Sequence, residues 1–332
     1  MITNKRNIWI FGGTGFIGSI LVKHLAANPR NLLHLLVHQN IPFRFLEKNN
    51  IFTGSLENFD VKWMERYPPE IIFHLARIGG SYNVTRYLAS ITGRKANRRL
   101  VSLLTALNIS PVVVYVSGSL LYGNQPGEKE ADENAKLLPV SYARYYMESE
   151  KPWLEAQEKK LLDVRFARPG WIVGPGSWFK IFFWNYYLLT GKVPLYGDGG
   201  QVMSLVHVDD CAAQLLNLAE NGKKGQNLNI FSATPTSMQN FSITLANLLN
   251  TEVNKVSLKE LRSRYGKTVA EAFGSSIPLT TCYPELAGLY RNLYPDSGSM
   301  LTATMTLLKH EQGVFAKTPQ KSLVEKQVSL PK

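Results

Sequence analysis

Directly after the apolar run Ile8-Trp-Ile-Phe11 the chain reads Gly12-Gly-Thr-Gly15-Phe-Ile-Gly18, and an amphipathic segment then runs to about Ala27. No other stretch restricts the fold so tightly, because the order is that of a strand, a tight turn and a helix. In such a turn the first glycine permits the reversal and the middle one lets backbone approach a pyrophosphate. The last allows close helix packing, with the helix N-terminus facing the anion. The spacing predicts a dinucleotide held over Gly12, Thr14, Gly15, Phe16, Ile17 and Gly18.

Further strand-length apolar runs alternate with helix-length segments: Asn7–Phe11, Leu32–Val37, Ile71–Leu75, Val112–Ser117, Val164–Ala167 and Leu228–Ile230. That alternation predicts an α/β fold, a Rossmann-type doubly wound parallel sheet with crossover helices. After about residue 172 the pattern loosens into Gly/Pro loops, an aromatic segment and helical stretches around Phe241–Leu249 and Ser257–Gly266. A smaller C-terminal substrate-binding domain fits this. The expected division is 1–172 and 201–232 for the dinucleotide-binding domain, 173–200 and 233–312 for the substrate domain, and 313–332 for a polar basic tail.

With 332 residues and 45% apolar composition the chain is long enough to bury a large core. Its two cysteines, Cys211 and Cys282, exclude a disulfide scaffold and a four-cysteine zinc site. The lack of a secretory N-terminal pattern and of a membrane-length apolar run gives the expectation of a cytoplasmic protein without membrane contact. The formal charge of +12 is scattered, apart from Arg94, Lys95, Arg98 and Arg99 and the tail lysines Lys317, Lys321, Lys326 and Lys332. This reads as a solvated face and a loose tail and not as a nucleic-acid surface, although an anionic cofactor or acidic carrier would be attracted by it.

The second strand of such folds normally ends in a residue that reads the adenosine ribose, an acid for a free 2′-hydroxyl or a base for a 2′-phosphate. Leu32–Asn40 contains no acid, and His38 and Arg44 are the candidate partners for a phosphate. The expectation is NADP or NAD, with NADP slightly preferred.

Phe73-His-Leu-Ala76, Ser117-Gly-Ser-Leu-Leu-Tyr-Gly123, Ser141-Tyr-Ala-Arg-Tyr-Tyr-Met-Glu148, Arg168-Pro-Gly-Trp-Ile-Val-Gly-Pro-Gly176 and Gly197-Asp-Gly followed by Ser204-Leu-Val-His-Val-Asp-Asp210 occur in this order. Together with the glycine turn they resemble the extended short-chain dehydrogenase/reductase family of NAD-dependent epimerases, dehydratases and reductases, over about residues 7–232. The resemblance implies that Leu75, Ala76, Tyr142 and Pro169 add to the cofactor site. It also implies a homodimer through two helices beginning near Asn97 and Tyr142.

In that family a Tyr-x-x-x-Lys pair on one helix face transfers the proton, the lysine holding the nicotinamide ribose. Here the tyrosine position is Tyr142 and the lysine position is Tyr146, which carries no charge at pH 7. Lys151, nine residues beyond Tyr142 at about 100° per residue, falls on the opposite side of the helix. The family's substrate-orienting Ser/Thr falls on Gly118, leaving Ser117 and Ser119 on either side. Another cation is needed to offset the lost lysine, or the chemistry is slow.

Nucleotide-sugar relatives carry an arginine before the His-Val-Asp-Asp segment, where this chain has Met203. Trp178, Phe179, Phe182, Phe183, Tyr186 and Tyr187 form one aromatic helical stripe after the Gly-Pro-Gly loop. The stripe either packs the small domain onto the sheet or lines an apolar substrate pocket, the latter naming Trp178, Phe179, Phe182 and Phe183 as substrate residues. His207 and Asp209 read as structural, and His74 as lining the cofactor turn and not as a metal ligand.

The leading expectation is an NAD(P)-dependent oxidoreductase or epimerase-like enzyme acting on an apolar carbonyl or hydroxyl compound, free or carrier-linked. Tyr142, Ser117, Ser119 and Tyr146 are its catalytic candidates. The competing readings are a catalytically degenerate dinucleotide-binding sensor or scaffold, and a non-redox dehydratase, isomerase or cyclase on the same fold.

Overall fold

The computed structural model describes residues 5–38, 50–79 and 83–317. Arg44 and the tail lysines from Lys321 onward lie outside them. Seven parallel strands form the central sheet. In chain order they begin with β1 (Arg6–Phe11), β2 (Asn31–Val37), β3 (Asn50–Thr53) and β4 (Ile71–His74). They continue with β5 (Val112–Val116), β6 (Asp163–Pro169) and the strand Leu228–Ile230. Across the sheet the order is Leu228–Ile230, β6, β5, β4, β1, β2, β3, so the direction of winding reverses between β1 and β4. Ligands of such sheets bind in the crevice outside the carboxyl ends of the strands at that reversal.

All six expected strands are present, and β3 is an addition. It pairs with β2 at the sheet edge and buries no residue fully, which explains why Asn50-Ile-Phe-Thr53 carries no run of apolar residues. In β1, Ile8 and Ile10 face one layer while Trp9 and Phe11 face the other, so the strand is apolar at every position from Ile8 to Phe11. The first layer holds α1 (Phe16–Ala26) and the helix Val208–Asn221, through Leu21, Leu25, Cys211 and Leu215. After the short helix α2 (Lys62–Arg66), the second layer is built from α3 (Asn83–Ala106) and α4 (Ser141–Glu158), through Leu100, Leu104, Trp153 and Ala156. Helix α3 starts at Asn83, well before the expected position near Asn97, which instead lies mid-helix.

A separate core gathers Phe179, Phe183, Tyr196, Met203, Phe241 and Phe273 with Met300, Leu301 and Leu308 of the last helix. That helix runs Ser297–Lys317, so 313–317 are helical and not tail. The strand Val193–Tyr196 pairs with Val253–Val256 inside this core.

Candidate functional site

The turn after β1 is built by its glycines. Gly12 has φ +86°, and a Cβ there would lie 2.8 Å from the Ala76 backbone nitrogen, so this turn touches the loop after β4 at the winding reversal. The Gly15 N–H donates to the Gly12 carbonyl at 3.0 Å, and α1 starts one residue later. A Cβ at Gly18 would come within 2.1 Å of the Gly12 oxygen, which makes Gly18 the packing glycine. At Gly15 the nearest atom to such a Cβ is the same oxygen at 3.2 Å, so this position is otherwise open. The turn thus fits a phosphate: close backbone approach at Gly15, next to the unpaired first-turn N–H groups of α1.

From the turn a groove of about 760 Å³ extends past Thr14, His38, Glu57, Ala76 and Arg77. His38 is exposed at the end of β2, and Glu57 borders the same groove. Ile17 and Leu75 pack their side chains into the α1-side core, so of the pair Leu75 and Ala76 only Ala76 faces the groove. The Phe16 ring fits against glycines, since a Cβ at Gly174 or Gly176 would meet it at 2.8 and 2.9 Å.

Beyond Arg77 lies a second space of about 410 Å³, a cleft between the sheet and the small domain. Phe16, Ser117, Ser119, Tyr142, Pro169 and Trp178 border it, so the resemblance-based candidates converge here. Tyr142 and Tyr146 project from the same side of α4, their rings edge to face with centroids 5.1 Å apart. Burial pushes the Tyr146 phenol up, so it stays protonated. Lys151 pairs with Glu148 on the outer side of α4, as its helical angle predicts.

The cations near the phenols come from elsewhere. The Arg77 guanidinium lies 4.0 Å from the Tyr146 ring centroid, and that of Arg86 on α3 lies 5.5 Å from the Tyr142 ring. Arg77 donates to the Ser117 carbonyl at 2.6 Å, and Arg86 to the Thr268 hydroxyl at 3.0 Å. The Ser117 hydroxyl donates to Glu150, whose carboxyl is pushed up by burial against the pull of Ser117, Arg168 and Arg77. Arg77, Arg86 and Glu150 escaped the sequence reading. Arg77 was readable only as the residue after Phe73-His-Leu-Ala76, and Glu150 only as lying one turn beyond Tyr146.

Several expectations are corrected. Phe179 and Phe183 have no exposed surface and stack in the small-domain core 6.1 Å apart, while Phe182 packs on Phe273 and Tyr265. Of the four proposed substrate residues only Trp178 reaches the cleft. A π-helical turn over Lys180–Trp184 changes the angle per residue, so regular helical spacing does not hold beyond Phe179. His74 does not line the turn: it is buried on the α3 side, bonded to the Asn97 side chain at 2.9 Å.

His207 caps the helix Val208–Asn221 and pairs with Asp209 at 3.2 Å, a structural role. Met203 is buried and bridges to Ile277 and Thr236, so nothing at that place offers a diphosphate a charge.

Known proteins share this fold. A dTDP-glucose 4,6-dehydratase of Salmonella typhimurium is 23% identical over 290 residues, covering 75% of this chain and 78% of its own. A dTDP-4-dehydro-6-deoxy-D-allose reductase of a Streptomyces species is 26% identical over 240 residues, covering 66% of this chain and 74% of its own. The crystal structure of dTDP-glucose 4,6-dehydratase from Bacillus anthracis in complex with NAD superposes with a TM-score of 0.74. It is 17% identical, over 92% of this chain and 98% of that one. The model of the NAD dependent epimerase/dehydratase family matches residues 8–231. This chain therefore belongs to that family, a group of the extended short-chain dehydrogenases/reductases.

Proposed function

We propose that the protein is an NAD-dependent, epimerase/dehydratase-like enzyme that binds NAD(H) from the glycine turn to the cleft and acts on a hydroxyl or carbonyl group placed beside Tyr142. The carrying observation is that the glycine-turn groove and the Tyr142 cleft meet at one residue, Arg77, which borders both. A bound NAD supplies hydride acceptance and return. Gly12–Gly18 would hold its pyrophosphate, and Tyr142 would exchange the proton of the substrate oxygen. Ser119 is the better group to orient that oxygen, because the Ser117 hydroxyl is committed to Glu150.

NAD is favoured over the NADP that His38, Arg44 and the lack of an acid in Leu32–Asn40 suggested. The Glu57 carboxylate shares the groove with His38 and would repel a 2′-phosphate, and the solved neighbour above holds NAD. Trp171, Trp178, Pro169 and Ile172 give the cleft apolar walls, which supports a substrate with an apolar body.

A second reading, a nucleotide-linked sugar, is favoured by a hollow of about 500 Å³ beside Ser141 that is bordered by Lys259, Arg262 and Lys267. A diphosphate or the anionic arm of a carrier would lie there. A homodimer through α3 and α4 agrees with the exposed Val84, Tyr87 and Leu88 on α3, and sedimentation tests it.

Calorimetry with NAD and NADP tests the cofactor. Thermal shift in the presence of NAD, against hydrophobic alcohols and ketones and a panel of nucleotide sugars, tests the substrate. Absence of dinucleotide binding would overturn the proposal, and stabilisation by a nucleotide sugar alone would select the second reading. Among the described residues no helix is long and apolar enough to cross a membrane.

A further inference from the structure

Helix α4 brings Tyr142 to the cleft with Tyr146 against it, and its own cations are turned to other partners, Lys151 to Glu148 and Arg144 to the Pro139 carbonyl. Positive charge reaches Tyr142 from Arg86 on α3, which is bonded to Thr268, and Tyr146 from the loop after β4. Arg77 anchors its Nη2 on the carbonyls of Ser117 at 2.6 Å and Val116 at 3.4 Å, at the end of β5. This fixes the guanidinium over the Tyr146 ring, 4.0 Å from its centroid. A guanidinium carries five N–H donors in a rigid fork, so bonds to two carbonyls leave donors for a further partner.

We propose that Arg77 is the cofactor-holding cation of this site. It binds the ribose beside the nicotinamide of NAD and places positive charge next to the Tyr142–Tyr146 pair, acting from the loop instead of from α4. This rests on the NAD-binding reading above.

Two observations carry it. Among the described residues bordering the groove and the cleft, Arg77 is the only arginine or lysine, and it borders both spaces. A dinucleotide lying from the glycine turn to Tyr142 must pass it. The second observation is steric and electrostatic. Arg77 lies against the side chain at position 146, so an ammonium there would face a like charge at contact distance in a partly dehydrated site. Arginine at 77 and lysine at 146 exclude each other, whereas arginine at 77 and an aromatic at 146 attract. The neutral Tyr146 is then the complement of Arg77 and not merely a lost lysine.

An arginine that only braced the β5 carbonyls would explain the hydrogen bonds equally well, so the test separates charge from bracing. NAD binding is measured by calorimetry on the wild-type chain, Arg77→Gln, Arg77→Lys, and Arg77→Gln combined with Tyr146→Lys, with melting temperature recorded for each. Glutamine keeps a donor for the Ser117 carbonyl and removes the charge.

Arg77→Gln is expected to weaken NAD by about tenfold, the size of one lost charge-assisted hydrogen bond. Arg77→Lys should retain affinity within about threefold. Adding Tyr146→Lys to Arg77→Gln should restore most of the affinity, because the ammonium then occupies the vacated place. A bracing role alone predicts a lower melting temperature, no change in affinity and no rescue. If the wild type binds NAD while Arg77→Gln binds equally well, or if Tyr146→Lys fails to rescue it, the inference is overturned and the NAD-binding reading stands. A wild-type chain that binds no NAD overturns both. If Arg77→Gln does not fold, the decision passes to Arg77→Lys, for which a loss beyond about tenfold overturns the inference.

Discussion

The hydroxyl of Ser117, at the rim of the cleft, donates to the carboxyl of Glu150, a side chain with no exposed surface. The second carboxyl oxygen of Glu150 has no protein partner. Burial raises this carboxyl above the usual range, so the folded protein favours its protonated form. The stabilisation is then complete below the ordinary carboxylate pKa and is lost as pH rises through the folded value. Glu150→Gln keeps the neutral shape and an acceptor for Ser117, and it should gain on wild type as pH rises, by up to about 1.4 kcal/mol per pH unit. Urea unfolding at pH 5 and pH 8 measures this. A difference that does not change with pH would show that Arg77 and Arg168 keep Glu150 ionised throughout.

Gly18 and Gly15 should respond differently to an added side chain. Gly18→Ala drives a Cβ into the Gly12 carbonyl at 2.1 Å and should lower stability by about 2 kcal/mol or more. Gly15→Val adds bulk where only the Gly12 oxygen is near, at 3.2 Å, so it should fold with a small loss and abolish NAD binding. Thermal unfolding with calorimetry separates the two. Unchanged NAD affinity in Gly15→Val would contradict the phosphate assignment.

The aromatic stripe divides in the same way. Phe183→Ala empties a fully buried place among Phe179, Tyr196 and Phe241 and should cost about 3–5 kcal/mol. Trp178→Ala, at the cleft wall beside Trp171, should cost less and change which compounds stabilise the NAD complex in thermal shift. An unchanged ligand profile in Trp178→Ala would remove the tryptophan from the substrate site.

What was legible in the sequence is what neighbouring residues decide. Ile8–Gly18 could be read because the strand, the turn and the helix start are each set within a few positions, and the reading holds at Gly12 and Gly18. Phe179 and Phe183 misled because helical spacing places them with Trp178, whereas both rings stack in the small-domain core with no exposed surface. Arg77 was invisible for another reason. Its position is fixed by the Ser117 carbonyl forty residues onward and by Tyr146 on α4, and no spacing along the chain records either contact.

His74 gives the last prediction, on the acid side. It has almost no exposed surface, sits among Phe11, Tyr115 and Trp153, and bonds through Nε2 to Asn97 at 2.9 Å. Burial lowers its pKa to about 4, against 6.5 for the free side chain. The unfolded chain therefore binds a proton more readily than the folded one between these values. Stability from this residue is full above about pH 6.5 and is lost as pH falls through about 4. The difference between 6.5 and about 4 corresponds to about 3 kcal/mol. His74→Gln preserves a donor for Asn97 and cannot titrate. It should be less stable than wild type at pH 7 by about 1–2 kcal/mol, from lost ring packing. That deficit should shrink or reverse by pH 4.5. Denaturant unfolding of both proteins at half-unit pH steps gives the comparison, and parallel curves across the interval would mean that His74 takes up its proton in the folded state without cost.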